Sequence, residues 1–150
     1  MRYMLLTYNA PGGDQIWAAM TESERQAEED EYVRLVEQMR ESNAYIGANE
    51  LEPFSAARTV RVRNRMRLVS DGPAVQGEEF LTGYFLIEAE SFEAAIEWAA
   101  KIPNAHSGSV EIRPVMEDEL ADRIAAAAES SLGEGVNRKH PGNSGSVRPR

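Results

Sequence analysis

Gly83-Tyr84-Phe85-Leu86-Ile87-Glu88-Ala89 is the stretch on which the fold turns. Residues 80–89 read as a strand, and successive side chains of a strand point to opposite faces. One face carries Gly83, Phe85 and Ile87, and the other carries Tyr84 and Leu86. A strand that is apolar on both faces belongs in the middle of a sheet covered on both sides.

The elements on either side of it follow from periodicity and caps. Downstream, Ser91 has the side chain of a helix cap, and Phe92, Ala95, Ile96 and Ala99, with Trp98 beside them, form one apolar stripe. Pro103 is expected to stop that helix, and residues 110–115 read as the last strand. Upstream, residues 2–8 read as the first strand and residues 9–14 as a loop rich in Gly and Pro, followed by a short turn over 17–20. Thr21 and Glu24 match a capping box, in which hydroxyl and carboxylate serve the free amides of a helix start. The helix they open is expected to reach residue 41, with Tyr32, Leu35, Val36 and Met39 as its buried stripe. Its first half is strongly acidic, which suits the positive end of the helix dipole.

Asn43 is expected to end this helix. Residues 45–51 read as the second strand, which Pro53 closes. Residues 58–63 and 66–70 then form a hairpin about Asn64-Arg65, and Asp71-Gly72-Pro73 ends it. Without the hairpin the order is β-α-β-β-α-β, which predicts an α+β, ferredoxin-like fold with both helices on one face of a four-stranded antiparallel sheet. Tyr84 and Leu86 point to the other face, so a second copy is expected to cover it. Two such sheets face to face make a homodimer of the dimeric α+β barrel kind. The expected organisation is a domain over residues 1–116, a helix over 117–129 and a flexible basic tail over 130–150.

Composition narrows the function classes. The chain has 150 residues, 42% hydrophobic and 27% charged, as an ordinary globular domain does. It contains no cysteine, which excludes disulfides, thiolate catalysis and cysteine-ligated metals. A formal charge of −9 repels phosphates and disfavours nucleic acid as a partner. The apolar run at the N-terminus is short for a signal segment, and no stretch approaches a membrane span, so a cytoplasmic protein with no membrane partner is expected. No phosphate-binding glycine loop, nucleophile elbow or dinucleotide fingerprint is present, so no cofactor is expected.

The chain resembles the YCII-related proteins of the DGPF type over residues 1–116. The resemblance rests on the strand over residues 3–8, on Asp71-Gly72-Pro73, on residues 83–89, and on the run from Phe92 through Trp98-Ala99-Ala100-Lys101-Ile102-Pro103 to the last strand. It implies a dimeric α+β barrel. It also implies companionship with extracytoplasmic-function sigma factors, or an enzymatic role using a His–Asp pair. Two positions depart from the pattern. Ala74 follows Asp-Gly-Pro where Phe is expected, and the first helix reads Glu29-Asp30-Glu31-Tyr32 where the wider group has a histidine.

The candidate site residues follow. Asp71 is either a turn former or, as the resemblance implies, a catalytic base or polar anchor. His106, one of two histidines, is either polar surface or a substitute partner for Asp71. A metal site is not expected, because the other histidine, His140, lies in the tail. Glu111 and Arg113 share a face of the last strand, as Tyr84 and Glu88 share a face of theirs. They form either a Glu–Arg pair buried between two sheets or a ligand-binding pocket, to which Glu50 could add. The hairpin carries Arg58, Arg61, Arg63, Arg65 and Arg67. Arg61, Arg63 and Arg65 are the candidates for binding a partner such as a sigma factor, and a solvated strand face is the plainer reading. Two functions result: a small-molecule-binding barrel that is a cofactor-independent enzyme or a simple binder, and a non-catalytic accessory protein.

Overall fold

The computed structural model describes residues 1–133. Among the described residues six strands and five helices follow one another: β1 (Arg2–Asn9), α1 (Gly13–Ala19), α2 (Glu22–Glu41), β2 (Tyr45–Glu50), β3 (Arg58–Arg63), β4 (Met66–Asp71), β5 (Phe80–Glu88), α3 (Phe92–Ala99), α4 (Asn104–Ser107), β6 (Ser109–Pro114) and α5 (Glu119–Gly133). A single 3-10 turn, Phe54–Ala56, leads into β3. The chain divides into two compact units, Met1–Val115 and the part from Met116 onward. No helix among the described residues is long and apolar enough to cross a membrane.

The first unit is an α+β fold built on a four-stranded sheet in the order β2-β5-β1-β6, with every neighbouring pair antiparallel. The doubly apolar strand is therefore central, as its composition requires. Tyr3, Leu5 and Thr7 of β1 and Gly83, Phe85 and Ile87 of β5 are buried on one face. Leu35 and Met39 of α2, Ala95 and Ala99 of α3, and Ile102 pack onto them as the core. Leu5, Met39, Ile87 and Ile102 are fully buried, worth ~2 kcal/mol each in transfer free energy.

Local chemistry sets the element ends. Thr21 and Glu24 make the full capping box. The Thr21 amide donates to Glu24 Oε2 at 2.8 Å, and the Glu24 amide donates back to Thr21 Oγ1 at 3.3 Å. Those bonds from Thr21 hold the Glu24 carboxyl below its usual range. Asn43 leaves α2 with φ +56, the left-handed conformation that asparagine tolerates. Ser91 accepts the Ala94 amide at 3.1 Å and opens α3. Asn64 and Arg65 both have positive φ, as a two-residue hairpin turn demands.

Several expectations need correction. Residues 13–19 form α1 rather than loop and turn, because left-handed Gly12 turns the chain and its carbonyl accepts the Gln15 and Ile16 amides. Pro103 lies beyond the end of α3 and also begins a further helix. It stands at the cap position of α4, where its missing amide costs nothing, and His106 therefore lies in a one-turn helix. In α3, Phe92 and Ile96 are exposed and the alanines carry the burial. The last helix reaches Gly133, beyond the expected limit at residue 129. The remainder of the expected basic tail, from residue 134 and including His140, lies outside the described residues.

Gly108 joins α4 to β6 where two backbones nearly touch. A Cβ there would stand 2.1 Å from the Tyr8 carbonyl oxygen and 3.0 Å from the Ala10 amide. Both neighbours are backbone, so nothing flexible can give way. Gly108→Ala should cost about 2–3 kcal/mol, read as a lower urea midpoint at unchanged slope.

Candidate functional site

The second face of the sheet differs from the first. Met4, Leu6, Tyr8, Tyr84 and Leu86 project there and are only half-buried. The register draws rows across the strands, because residues directly opposite in an antiparallel pair share a face. One row runs Asn49–Tyr84–Leu6–Glu111, and the next runs Leu86–Met4–Arg113. Apolar side chains thus fill the centre of the face, with polar groups at its margins.

At one end the polar groups converge. The Tyr8 hydroxyl donates to Glu111 Oε2 at 3.3 Å, and Arg113 Nε lies 3.6 Å from Glu111 Oε1. Ser109 Oγ donates to Glu79 Oε2 at 2.8 Å. An open cavity of about 470 Å³ is lined by Tyr8, Gly77, Glu78, Glu79, Ser109 and Glu111. Burial, then the charge of Glu111, raises the Tyr8 hydroxyl above its ordinary range, so it stays a neutral donor at physiological pH. On the other flank the Asn49 amide donates to the Tyr84 hydroxyl at 2.8 Å. No group of three or more potential metal ligands exists among the described residues.

The residues singled out in the sequence are distributed unevenly over this geometry. Tyr84, Glu111 and Arg113 lie on the half-buried face. Glu88 lies at the opposite end of β5 from Phe80, its carboxylate 4.0 Å from the N-terminal ammonium. Glu50 stands opposite Gly83, on the helix-covered face, so it cannot line the same surface as Tyr84; its neighbour Asn49 does. Asp71 is exposed at the base of the hairpin, with Arg58 Nε 3.5 Å from its Oδ1. His106 is exposed in α4. Arg61, Arg63 and Arg65 are exposed on the hairpin.

Sequence reasoning missed Tyr8, Ser109 and Glu79. Tyr8 had a signal, since it continues the Met4, Leu6 alternation. Ser109 and Glu79 had none, because their meeting depends on how β6 and the loop before β5 are brought together. Also missed was a part-buried polar chain on the helix side. The Tyr32 hydroxyl donates to Asn104 Oδ1 at 2.5 Å, and Asn104 Nδ2 donates to Asn9 Oδ1 at 2.8 Å, tying α2, α4 and the end of β1. The Tyr32 ring stacks on Phe85 at 6.5 Å. Burial, then the charges of Glu28 and Glu50, pushes the Tyr32 hydroxyl up to about 12.

A family model, the YCII-related domain, matches residues 1–119. The chain belongs to the YCII-related domain family. An uncharacterised protein of Rhizobium meliloti (strain 1021), 32% identical over 127 residues, covers 77% of this YCII-related chain and 92% of its own length. Among solved structures, 5-chloro-2-hydroxyhydroquinone dehydrochlorinase from Burkholderia phenoliruptrix AC1100, in complex with 2,5-dihydroxybenzoquinone, is similar with a TM-score of 0.46 at 10% identity. The alignment covers 80% of the YCII-related chain and 98% of the dehydrochlorinase.

The raised Tyr32 hydroxyl gives a pH signature. A group that holds its proton more tightly when folded stabilises the fold fully below its unfolded pKa of 10, and that contribution is lost as pH rises toward about 12. Stability of the wild type should fall across that window, and Tyr32→Phe should remove this part of the fall. At neutral pH the same substitution should cost about 1–3 kcal/mol, because it deprives Asn104 Oδ1 of its donor. Urea unfolding at a series of pH values measures both.

Proposed function

We propose that this protein binds a small molecule on the half-buried sheet face, between two ferredoxin-like domains that pair as a dimeric α+β barrel. The observation that carries this reading is the makeup of that face. Met4, Leu6, Tyr84 and Leu86 supply an apolar floor, and Tyr8, Glu111, Arg113 and Asn49 supply hydrogen-bonding groups at its margins. An apolar concavity with a few convergent polar groups is the usual makeup of a ligand site. The ligand that fits has an apolar body and both donor and acceptor substituents. Glu111 accepts from it, and the Tyr84 hydroxyl and Arg113 donate to it.

The same face suits a second copy. Half-buried leucine, methionine and tyrosine side chains on a continuous strand face lose further contact with water when a second sheet lies over them. Asp71 and His106 stay in this proposal as a base or polar anchor and its partner. Both are on the surface of one protomer, so they would enter a site through a second copy. The alternative is an accessory protein bound to a partner such as an extracytoplasmic-function sigma factor, and the exposed arginine hairpin is the feature that favours it.

Native mass spectrometry of the purified protein, with a denatured control, tests the reading. The expected result is a dimer carrying a reproducible small-molecule adduct whose mass names its class. Glu111→Gln combined with Tyr84→Phe should weaken that adduct at least tenfold, since lost charged hydrogen bonds cost about 1.5–3 kcal/mol each. Loss of the adduct in Asp71→Ala would make Asp71 an anchor, and retention would leave it a hairpin residue. A monomer, or a dimer that never carries an adduct, would overturn the proposal.

A further inference from the structure

The β3–β4 hairpin buries less than the four-stranded sheet does. Every residue from Val60 to Asp71 is exposed. Val60, Val62 and Val69 are 59%, 60% and 54% exposed, and the pairs Val60–Val69 and Val62–Arg67 put all three valines and Arg67 on one face. A two-stranded ribbon left alone in water is marginal, so a bare apolar face on one calls for a covering surface.

Charge states what that surface carries. In a chain of net charge −9 the hairpin concentrates Arg58, Arg61, Arg63, Arg65 and Arg67. Of these, only Arg58 makes an ion pair among the described residues. Arg67 and Arg65 flank the valine face, where their planar forks suit carboxylates.

The chain carries a matching surface of its own. Val33 of α2 is 57% exposed, on the side away from the buried Leu35 and Met39. Glu29, Asp30 and Glu37 stand four before, three before and four after it, and therefore surround it on the helix surface. None of these carboxylates makes an ion pair among the described residues. A concavity of about 760 Å³ runs on toward the helix start, with Glu22 and Asp30 in its wall. Both halves of a mixed apolar and charged contact are thus exposed on one protomer, and no ion pair joins them within it.

We infer that the hairpin of one copy lies along the outer surface of α2 of a second copy. Val60, Val62 and Val69 cover Val33, and Arg65 and Arg67 meet Glu29, Asp30 and Glu37. Each copy has one hairpin and one α2, so two-fold pairing satisfies both contacts at once. The inference rests on two copies associating and on no ligand.

A charge swap tests it. One variant carries Arg65→Asp and Arg67→Glu, and the other carries Glu29→Lys, Asp30→Lys and Glu37→Lys. Each alone sets like charges against each other in its homodimer and should associate about tenfold more weakly than the wild type. Mixed in equal amounts, the two restore both contacts. Native mass spectrometry should then show heterodimer well above its statistical share. If either variant loses the wild-type circular dichroism, the pair Arg67→Glu and Glu37→Lys gives the same readout.

A wild-type dimer whose variants self-associate normally and mix statistically would overturn this inference and leave the paired sheets standing. A wild type that stays monomeric over the whole concentration range would overturn both. A third outcome is a hairpin variant that dimerises normally while losing an acidic macromolecule that the wild type retains. The hairpin would then serve that other partner, which also overturns the inference.

Discussion

The pairing of β1 with β5 is the constraint on which the rest depends. It joins the two central strands and places Leu5 opposite Phe85 and Tyr3 opposite Ile87, all four side chains buried. Side chains alternate with a period of two, so a slip of one residue would turn this row outward and expose the whole core. The helices have no freedom after that. Leu35 and Met39 of α2 and Ala95 and Ala99 of α3 meet the Leu5–Ile87 face and form one buried core with it.

The same register builds the other face. It sets Glu111 across from Leu6 and Leu6 across from Tyr84, so a carboxylate, an apolar floor and a phenol fall in one line. The face is therefore a by-product of core formation, and its chemistry is free to vary while the core is held. That separation is physical: one parity of each central strand is bound to packing, and the other carries the groups able to meet a ligand or a second sheet.

Much of this was legible in the chain. The capping box at Thr21 and Glu24, the cap at Ser91, the turn at Asn64-Arg65 and the doubly apolar strand each state their structure through near neighbours. The site was legible only in part. Glu111 and Arg113 could be read because they alternate within one strand. Glu50 was misplaced by one position, because the bulge where β2 meets β5 resets the parity between Tyr45 and Gly47. Asn49 takes the position beside Tyr84 for the same reason. The chain from Tyr32 through Asn104 to Asn9 spans more than ninety positions and leaves no local trace.

The sequence by itself determined the types of the longer elements, the central place of β5 and the two faces of the central strands, because these follow from periodicity, caps and turn residues within a few positions. Tertiary structure alone decided which polar groups meet. The Tyr8–Glu111 and Ser109–Glu79 contacts are set by the register of β1 with β6 and by the close backbone approach at Gly108. Tertiary structure also decided that Asp71 sits beside Arg58 at the base of an exposed hairpin. Register and strand order are collective results of packing the whole core, and no short stretch of the chain encodes them.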